Sequence, residues 1–262
     1  MSFPQTLAIT ALVLSSLLGP AAAQAQQPAA APPKTADDDE YHRQQEYLLH
    51  NDWANLQRYA AANLRLPAPT PGVPRVVLLG NSITEGWPKA DSAFFAGKPY
   101  AYIGRGISGQ TTGQTLLRFR QDVINLRPAA VVLLVGTNDV AQNSGPYNPQ
   151  VTLSNLMTMT ELAQLHNIRV VLCSVTPAAD FWWRKGLLPA AKIVALNQQI
   201  KAYAAQSGCV YLDYHTPMAD EQQGLKKVYG EDGVHPNLAG YRVMEPLLNQ
   251  AVATALKRKP RK

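Results

Sequence analysis

The chain has 262 residues, 46% of them hydrophobic and 16% charged, which fits one globular domain with additions at its ends and excludes a disordered polymer. Its formal net charge of +6 does not point to nucleic acid. Lys257, Arg258, Lys259, Arg261 and Lys262 gather in a terminal tail that reads as solvated, and neither zinc-finger spacing nor an RNP-like aromatic run occurs.

Residues 7–18 are apolar but too short to span a bilayer, and Ala21-Ala22-Ala23 and Ala23-Gln24-Ala25 supply small-residue cleavage sites. Residues 1–25 are therefore read as a secretory signal peptide, which implies a periplasmic or extracellular protein with no stable membrane insertion after cleavage. No Lys or Arg precedes the apolar run, so a retained anchor is the competing reading, and no cysteine follows the run to carry a lipid. Residues 26–36 are rich in Ala, Pro and Gln and read as a flexible linker.

A helical extension is expected over 37–72. Its helix, over 41–66, rests on the spacing of Tyr47, Leu48, Trp53, Leu56, Tyr59 and Ala60, with Asp37 to Glu40 at the positive end of the dipole. Pro67, Pro69, Pro71 and Pro74 lead into the main domain at 73–258, and 259–262 forms the basic tail. Within that domain, short apolar runs predict strands at 75–79, 100–103, 130–135, 169–175 and 209–213. Helices are predicted between them at 112–126, 151–166 and 187–206. A last helical stretch follows Pro236, with Pro246 expected to interrupt it and start a second helix. Strands alternating with helices imply an α/β fold, a three-layer α/β/α sandwich around a five-stranded parallel sheet. Ligands in such folds sit beyond the carboxyl ends of the strands. Cys173 and Cys209 fall on predicted buried strands and read as small hydrophobes; a disulfide would need a Cα separation that sequence does not define.

Four segments place polar residues at that carboxyl edge. Ser82 follows the first strand in Gly80-Asn81-Ser82, where Gly80 is expected to allow a sharp turn and the next helix offers unpaired N–H groups. A helix-capping serine would look the same. Ser108-Gly109-Gln110 follows the second strand, where a glycine lets its N–H approach a substrate closely. Asn138 lies in Gly136-Thr137-Asn138-Asp139 after the third strand and can donate to an oxyanion without adding charge, although an Asx turn would also explain it. His235 and Asp232 share the loop Asp232-Gly233-Val234-His235-Pro236. A serine needs a base to take its proton, an imidazole suits that task, and a carboxylate orients the imidazole. Capping of the last helix is the competing reading for this pair.

Together these blocks resemble the SGNH hydrolases, in particular their GDSL-like acylhydrolase and esterase branch, over about residues 75–256. The match includes the block around Ser82, Gly104-Arg105-Gly106-Ile107-Ser108-Gly109-Gln110, the Gly136 to Asp139 block and the Asp232 to Pro236 block, in family order. The resemblance implies a flavodoxin-like sheet and an SGNH hydrolase domain at 73–258. It also implies catalytic roles for Ser82, Asp232 and His235, and an oxyanion hole from Ser82, Gly109 and Asn138. Asn81 stands where the family name carries aspartate, so the neighbourhood of the serine lacks that charge.

The expected reaction is therefore two-step acyl transfer on a small-molecule or saccharide ester, with no cofactor and no metal. His42, His50, His166 and His215 are scattered and read as surface or structural. Export, together with Trp182 and Trp183 after the fourth strand, suggests short-chain, chiefly acetyl, esters of carbohydrates, the indoles stacking on a sugar. Covering a loop or the core is the alternative role for these aromatics. Lysophospholipase or thioesterase action on lipids is the second functional reading, and a binding module without catalysis the third. Oligomeric state is not legible.

Overall fold

The computed structural model describes residues 36–96 and 99–258, so the expected signal peptide and linker lie outside the described residues apart from the linker's last position. The chain divides into two compact units, Met1–His42 and Arg43–Lys262. The second contains the sheet and both of its flanking cores.

Helix α1 spans Ala36–Asn51, and the predicted continuation to 66 does not form. Asp52 ends it by turning its carboxylate onto the next segment, accepting from Leu56 N at 2.7 Å and Gln57 N at 3.1 Å. Asn55 takes a left-handed φ of 51°, after which a 3-10 turn (Leu56–Tyr59) and a short helix α2 (Ala60–Arg65) follow. A side chain that bonds backbone donors locally competes with the helix, which periodicity alone cannot register.

Five parallel strands make one sheet: β1 (Arg75–Gly80), β2 (Ala101–Gly106), β3 (Ala130–Leu134), β4 (Arg169–Cys173) and β5 (Val210–Leu212), in the order β2-β1-β3-β4-β5. Alternate residues of each strand serve two cores. Val77, Leu79, Val131 and Leu133 pack under α5 (Thr112–Leu117), α6 (Phe119–Asp122), α8 (Pro149–Leu165) and α9 (Pro189–Ser207). Val76, Leu78 and Val132 pack on the opposite face, against Ile83 and Trp87 of α3 (Ser82–Ala90) and Tyr241, Met244 and Leu248 of α11 (Leu238–Lys257). Three further short helices, α4 (Ser92–Ala96), α7 (Thr137–Val140) and α10 (His215–Met218), fill connections. The three-layer α/β/α sandwich is thus present. Cys173 and Cys209 are buried and no disulfide is formed among the described residues.

Two predicted helices differ. The one expected at 112–126 breaks into α5, α6 and a 3-10 turn (Ile124–Leu126), because Arg118 turns inward at the junction. The last helix, α11, runs unbroken through Pro246, so that proline does not begin a second one. Pro246 sits on the exposed side of α11, where water can satisfy the carbonyl it leaves unpaired.

The chain leaves β1 toward β2 on one side and returns to β3 on the other. That reversal opens a crevice beyond the carboxyl ends of β1 and β3, the place where such sheets bind ligands.

Candidate active site

Ser82 is the first residue of α3, directly after β1. Asn81 caps the helix, its side-chain oxygen accepting from Ile83 N at 3.1 Å while the residue itself is buried. A neutral amide therefore fills the position of the family aspartate and makes the capping bond without its charge. Gly80 holds no left-handed turn; its role is space, since a Cβ there would lie 2.0 Å from Thr84 Oγ1. Gly106, its partner in register on β2, is tighter still against backbone, with a Cβ placed 2.2 Å from Glu85 N and 2.6 Å from Asn81 O. These two glycines let the turn carrying Ser82 settle onto the ends of β1 and β2.

Ser82 Oγ lies 2.8 Å from His235 Nε2, and His235 Nδ1 lies 2.6 Å from Asp232 Oδ2. The other oxygen of Asp232 accepts from Val234 N at 2.9 Å and His235 N at 2.8 Å. Burial works to raise the Asp232 pKa, but the bonds from the His235 side chain and from these two amides outweigh it and hold the carboxyl below its ordinary range. An ionised Asp232 only accepts, so Nδ1 carries the proton and Nε2 is left to accept from the Ser82 hydroxyl.

Beyond β2, Gly109 takes a left-handed φ of +76°, and a Cβ there would meet nothing nearer than Asn143 Nδ2 at 4.0 Å. Backbone conformation, rather than crowding, is what calls for glycine. Asn138, buried at the start of α7, donates from Nδ2 to Gln110 O at 2.9 Å, which ties the β3 edge to the Gly109 loop and leaves its second amide hydrogen for another acceptor. Asp139 does structural work beside it. Its carboxylate accepts from Thr112 N at 3.0 Å and from the Thr112 hydroxyl, anchoring α5. Burial pushes its pKa up and the Thr112 bonds pull the other way.

Of the aromatic run after β4, Phe181 is core and Trp182 is 62% exposed. Trp183 is half-buried, its ring centroid 6.3 Å from that of His235. It also donates from Nε1 to Asn143 Oδ1 at 3.1 Å, and Asn143 in turn donates to Gly109 O at 3.1 Å. Trp183 thus links the imidazole to the Gly109 loop. A cavity of about 300 Å³ adjoins Asp232, lined by Trp182, Lys185, Asp220 and Leu225 among others.

Arg118 and Asn143 were not legible in the sequence. Arg118 is fully buried and donates to Gln110 Oε1 (2.6 Å), Arg105 O (2.9 Å), Gly80 O (2.9 Å) and Asp122 Oδ2 (3.0 Å). Its pairing with Asp122 at i,i+4 looks in sequence like an ordinary surface ion pair.

A hydroxyl, an imidazole and a carboxylate in one hydrogen-bonded line at the carboxyl edge of a parallel sheet make up the constellation of a hydrolytic α/β enzyme. Comparison with known proteins agrees. The profile of the GDSL-like Lipase/Acylhydrolase family matches residues 78–243. A GDSL-like lipase from Bacteroides thetaiotaomicron shares 48% identity, with a TM-score of 0.75 over 78% of this chain and 100% of that one. Esterase TesA of Pseudomonas aeruginosa is 26% identical over 68% of this chain and 82% of its own length. An acetylxylan esterase of Xylanibacter ruminicola is 24% identical over 71% of this chain and 45% of its own length. The chain belongs to the GDSL-like lipase/acylhydrolase family of SGNH hydrolases, and it is a carboxylic ester hydrolase.

Proposed function

We propose that the chain is an exported serine esterase in which Ser82 is the nucleophile, His235 the general base and Asp232 its orienting partner. The observation that carries this reading is the unbroken line from Ser82 Oγ through both nitrogens of His235 to Asp232, at 2.8 and 2.6 Å. Ser82 Oγ attacks the ester carbonyl while its proton passes to His235 Nε2. The tetrahedral oxyanion is held by the N–H groups of Ser82 and Gly109 and by the free hydrogen of the Asn138 amide. As the alkoxy bond breaks, His235 returns the proton to the leaving alcohol. Water then attacks the acyl-enzyme carbonyl while giving a proton to His235, and as the bond to Ser82 breaks His235 returns that proton to Ser82 Oγ and the carboxylic acid leaves.

The substrate we infer is a short-chain, chiefly acetyl, ester of a saccharide. The exposed indole of Trp182 and the cavity beside Asp232, which also takes in Lys185 and Asp220, support it, since stacking surface next to carboxylate and ammonium groups suits a polyhydroxylated leaving group. The resemblance to an acetylxylan esterase points the same way. Export rests on the apolar run and cleavage sites of 1–25; no helix among the described residues is long and apolar enough to cross a membrane.

The test is hydrolysis of p-nitrophenyl esters from acetyl to palmitoyl, with Ser82→Ala as control. Rates highest for acetyl and falling by octanoyl support the short-acyl reading. Rates that hold or rise with chain length replace it with a lipid or thioester substrate. Equal rates in wild type and Ser82→Ala would overturn the nucleophile.

A further inference from the structure

We propose that residues 53–63, which precede the family-matched region, form a strap that positions the Gly109 loop for catalysis. The inference rests on the function proposed above, in which Gly109 N–H is an oxyanion donor.

The strap grips that loop directly at two points and, through Glu85 of α3, at a third, and it leaves Gly109 N–H itself untouched. At the start of the loop, the Tyr59 hydroxyl donates to Gly106 O. In the middle, Arg58 donates to Glu85 Oε1 at 2.8 Å, and the other oxygen of Glu85 accepts from Ser108 N at 2.8 Å. At the far end, the buried Gln110 side chain donates from Nε2 to Ala54 O at 2.7 Å, while its oxygen is held by Arg118. Asn63 supports the base of this assembly, accepting from Arg105 Nε at 2.8 Å and donating to Asp122 at 2.7 Å. The guanidinium of Arg105 also lies over the Tyr59 ring, 4.8 Å from its centroid.

The chemistry explains why such bracing matters. An oxyanion donor acts only if it is already aimed where charge develops, and a loop free to shift by a fraction of an ångström forfeits part of that advantage. A loop ending in a left-handed glycine has little stiffness of its own. Hydrogen bonds to Gly106, Ser108 and Gln110 fix the residues on either side of Gly109, so the strap supplies the rigidity that the glycine gives up. Tyr59, Arg58 and Glu85 are positioning residues on this view, for they reach the substrate only through the loop.

The experiment compares Tyr59→Phe, Glu85→Ala and the conservative Glu85→Gln in the full chain, by steady-state kinetics on p-nitrophenyl acetate and by amide hydrogen exchange of the peptide covering 106–110. Expected is a fall in kcat of about tenfold in Tyr59→Phe and Glu85→Ala with KM nearly unchanged, faster exchange across 106–110, and partial recovery in Glu85→Gln, which keeps an acceptor for Ser108 N. Unchanged kcat or unchanged exchange in Tyr59→Phe would overturn the proposal whatever Glu85→Ala does, because Glu85 belongs to α3 and braces Ser108 on its own. So would parallel changes in kcat and KM that track only a loss of stability. If wild type shows no Ser82-dependent hydrolysis, the proposed function and this catalytic consequence fall together, and the exchange measurement still decides whether the strap holds the loop.

Discussion

Asp232 does two things at once, and they separate with pH. It accepts three hydrogen bonds from the loop of His235, and these hold its folded-state pKa below the usual carboxylate value of about 3.9. With the folded value below the unfolded one, the unfolded chain binds more protons in that interval. The stabilisation is therefore complete above the unfolded pKa and is lost as pH falls through the folded one. Asp232→Asn should consequently be less stable than wild type at about pH 6, with the difference shrinking toward about pH 3, as read from urea midpoints at both values. A difference constant with pH would mean the carboxyl is not held low. The same variant should lower kcat by roughly 10^4-fold, less than the roughly 10^6-fold expected of Ser82→Ala, because orientation is only part of the machinery. Ser82, Asp232 and His235 were legible only in combination, since each alone matches a common capping residue and it is their placement at one sheet edge, in family order, that carried the reading. Arg118 and Tyr59 were hidden, since an arginine inside a helical pattern and a tyrosine on an apolar stripe look like a solvated charge and a core ring. Only the fold reveals that they face backbone carbonyls of the site.

Between β1, β2 and α3 the limiting quantity is space. Hydrophobic runs predicted the strands to within a few residues at either end, because a parallel strand covered on both faces must be continuously apolar. Their order in the sheet was not readable from the runs themselves and came only with the flavodoxin-like resemblance, whose 2-1-3-4-5 order is the one found; the closeness of α3 to β2 was not readable at all, because glycine carries no side chain to announce what it touches. Gly106→Ala tests that contact. The added Cβ would fall 2.2 Å from Glu85 N and 2.6 Å from Asn81 O, both backbone atoms of the turn around Ser82 that cannot rotate away. The turn must lift or β2 must bend, so we expect a loss of about 3 kcal/mol in urea unfolding. Activity should fall as well, because Ser82 and the Gly109 loop are carried by the two elements forced apart. A variant as stable and active as wild type would show that the contact relaxes freely.

The unit Arg43–Lys262 holds the sheet, both cores and every residue proposed for catalysis, whereas the family profile begins only at residue 78. The segment between those limits is therefore the part whose importance a motif search understates. From the sequence it reads as a helical extension ahead of the hydrolase domain. Its contacts join it to the fold that carries the proposed site, because Arg105, Gln110 and Asp122 are buried polar side chains whose partners include Asn63 and Ala54. Removing the segment would take one partner from each of Arg105 Nε, Gln110 Nε2 and Asp122 Oδ1, at about 1–3 kcal/mol for each bond that water does not replace. Two truncations separate the consequences. A chain beginning at Arg43 should keep the wild-type urea midpoint and kcat, since it retains every contact named above. A chain beginning after Leu66 should lose several kcal/mol, enough to remove most of the 5–15 kcal/mol typical of a folded domain, and should fail to unfold cooperatively. Full activity and an unchanged midpoint in that shorter chain would show that the hydrolase core is self-sufficient and that the segment merely lies against it.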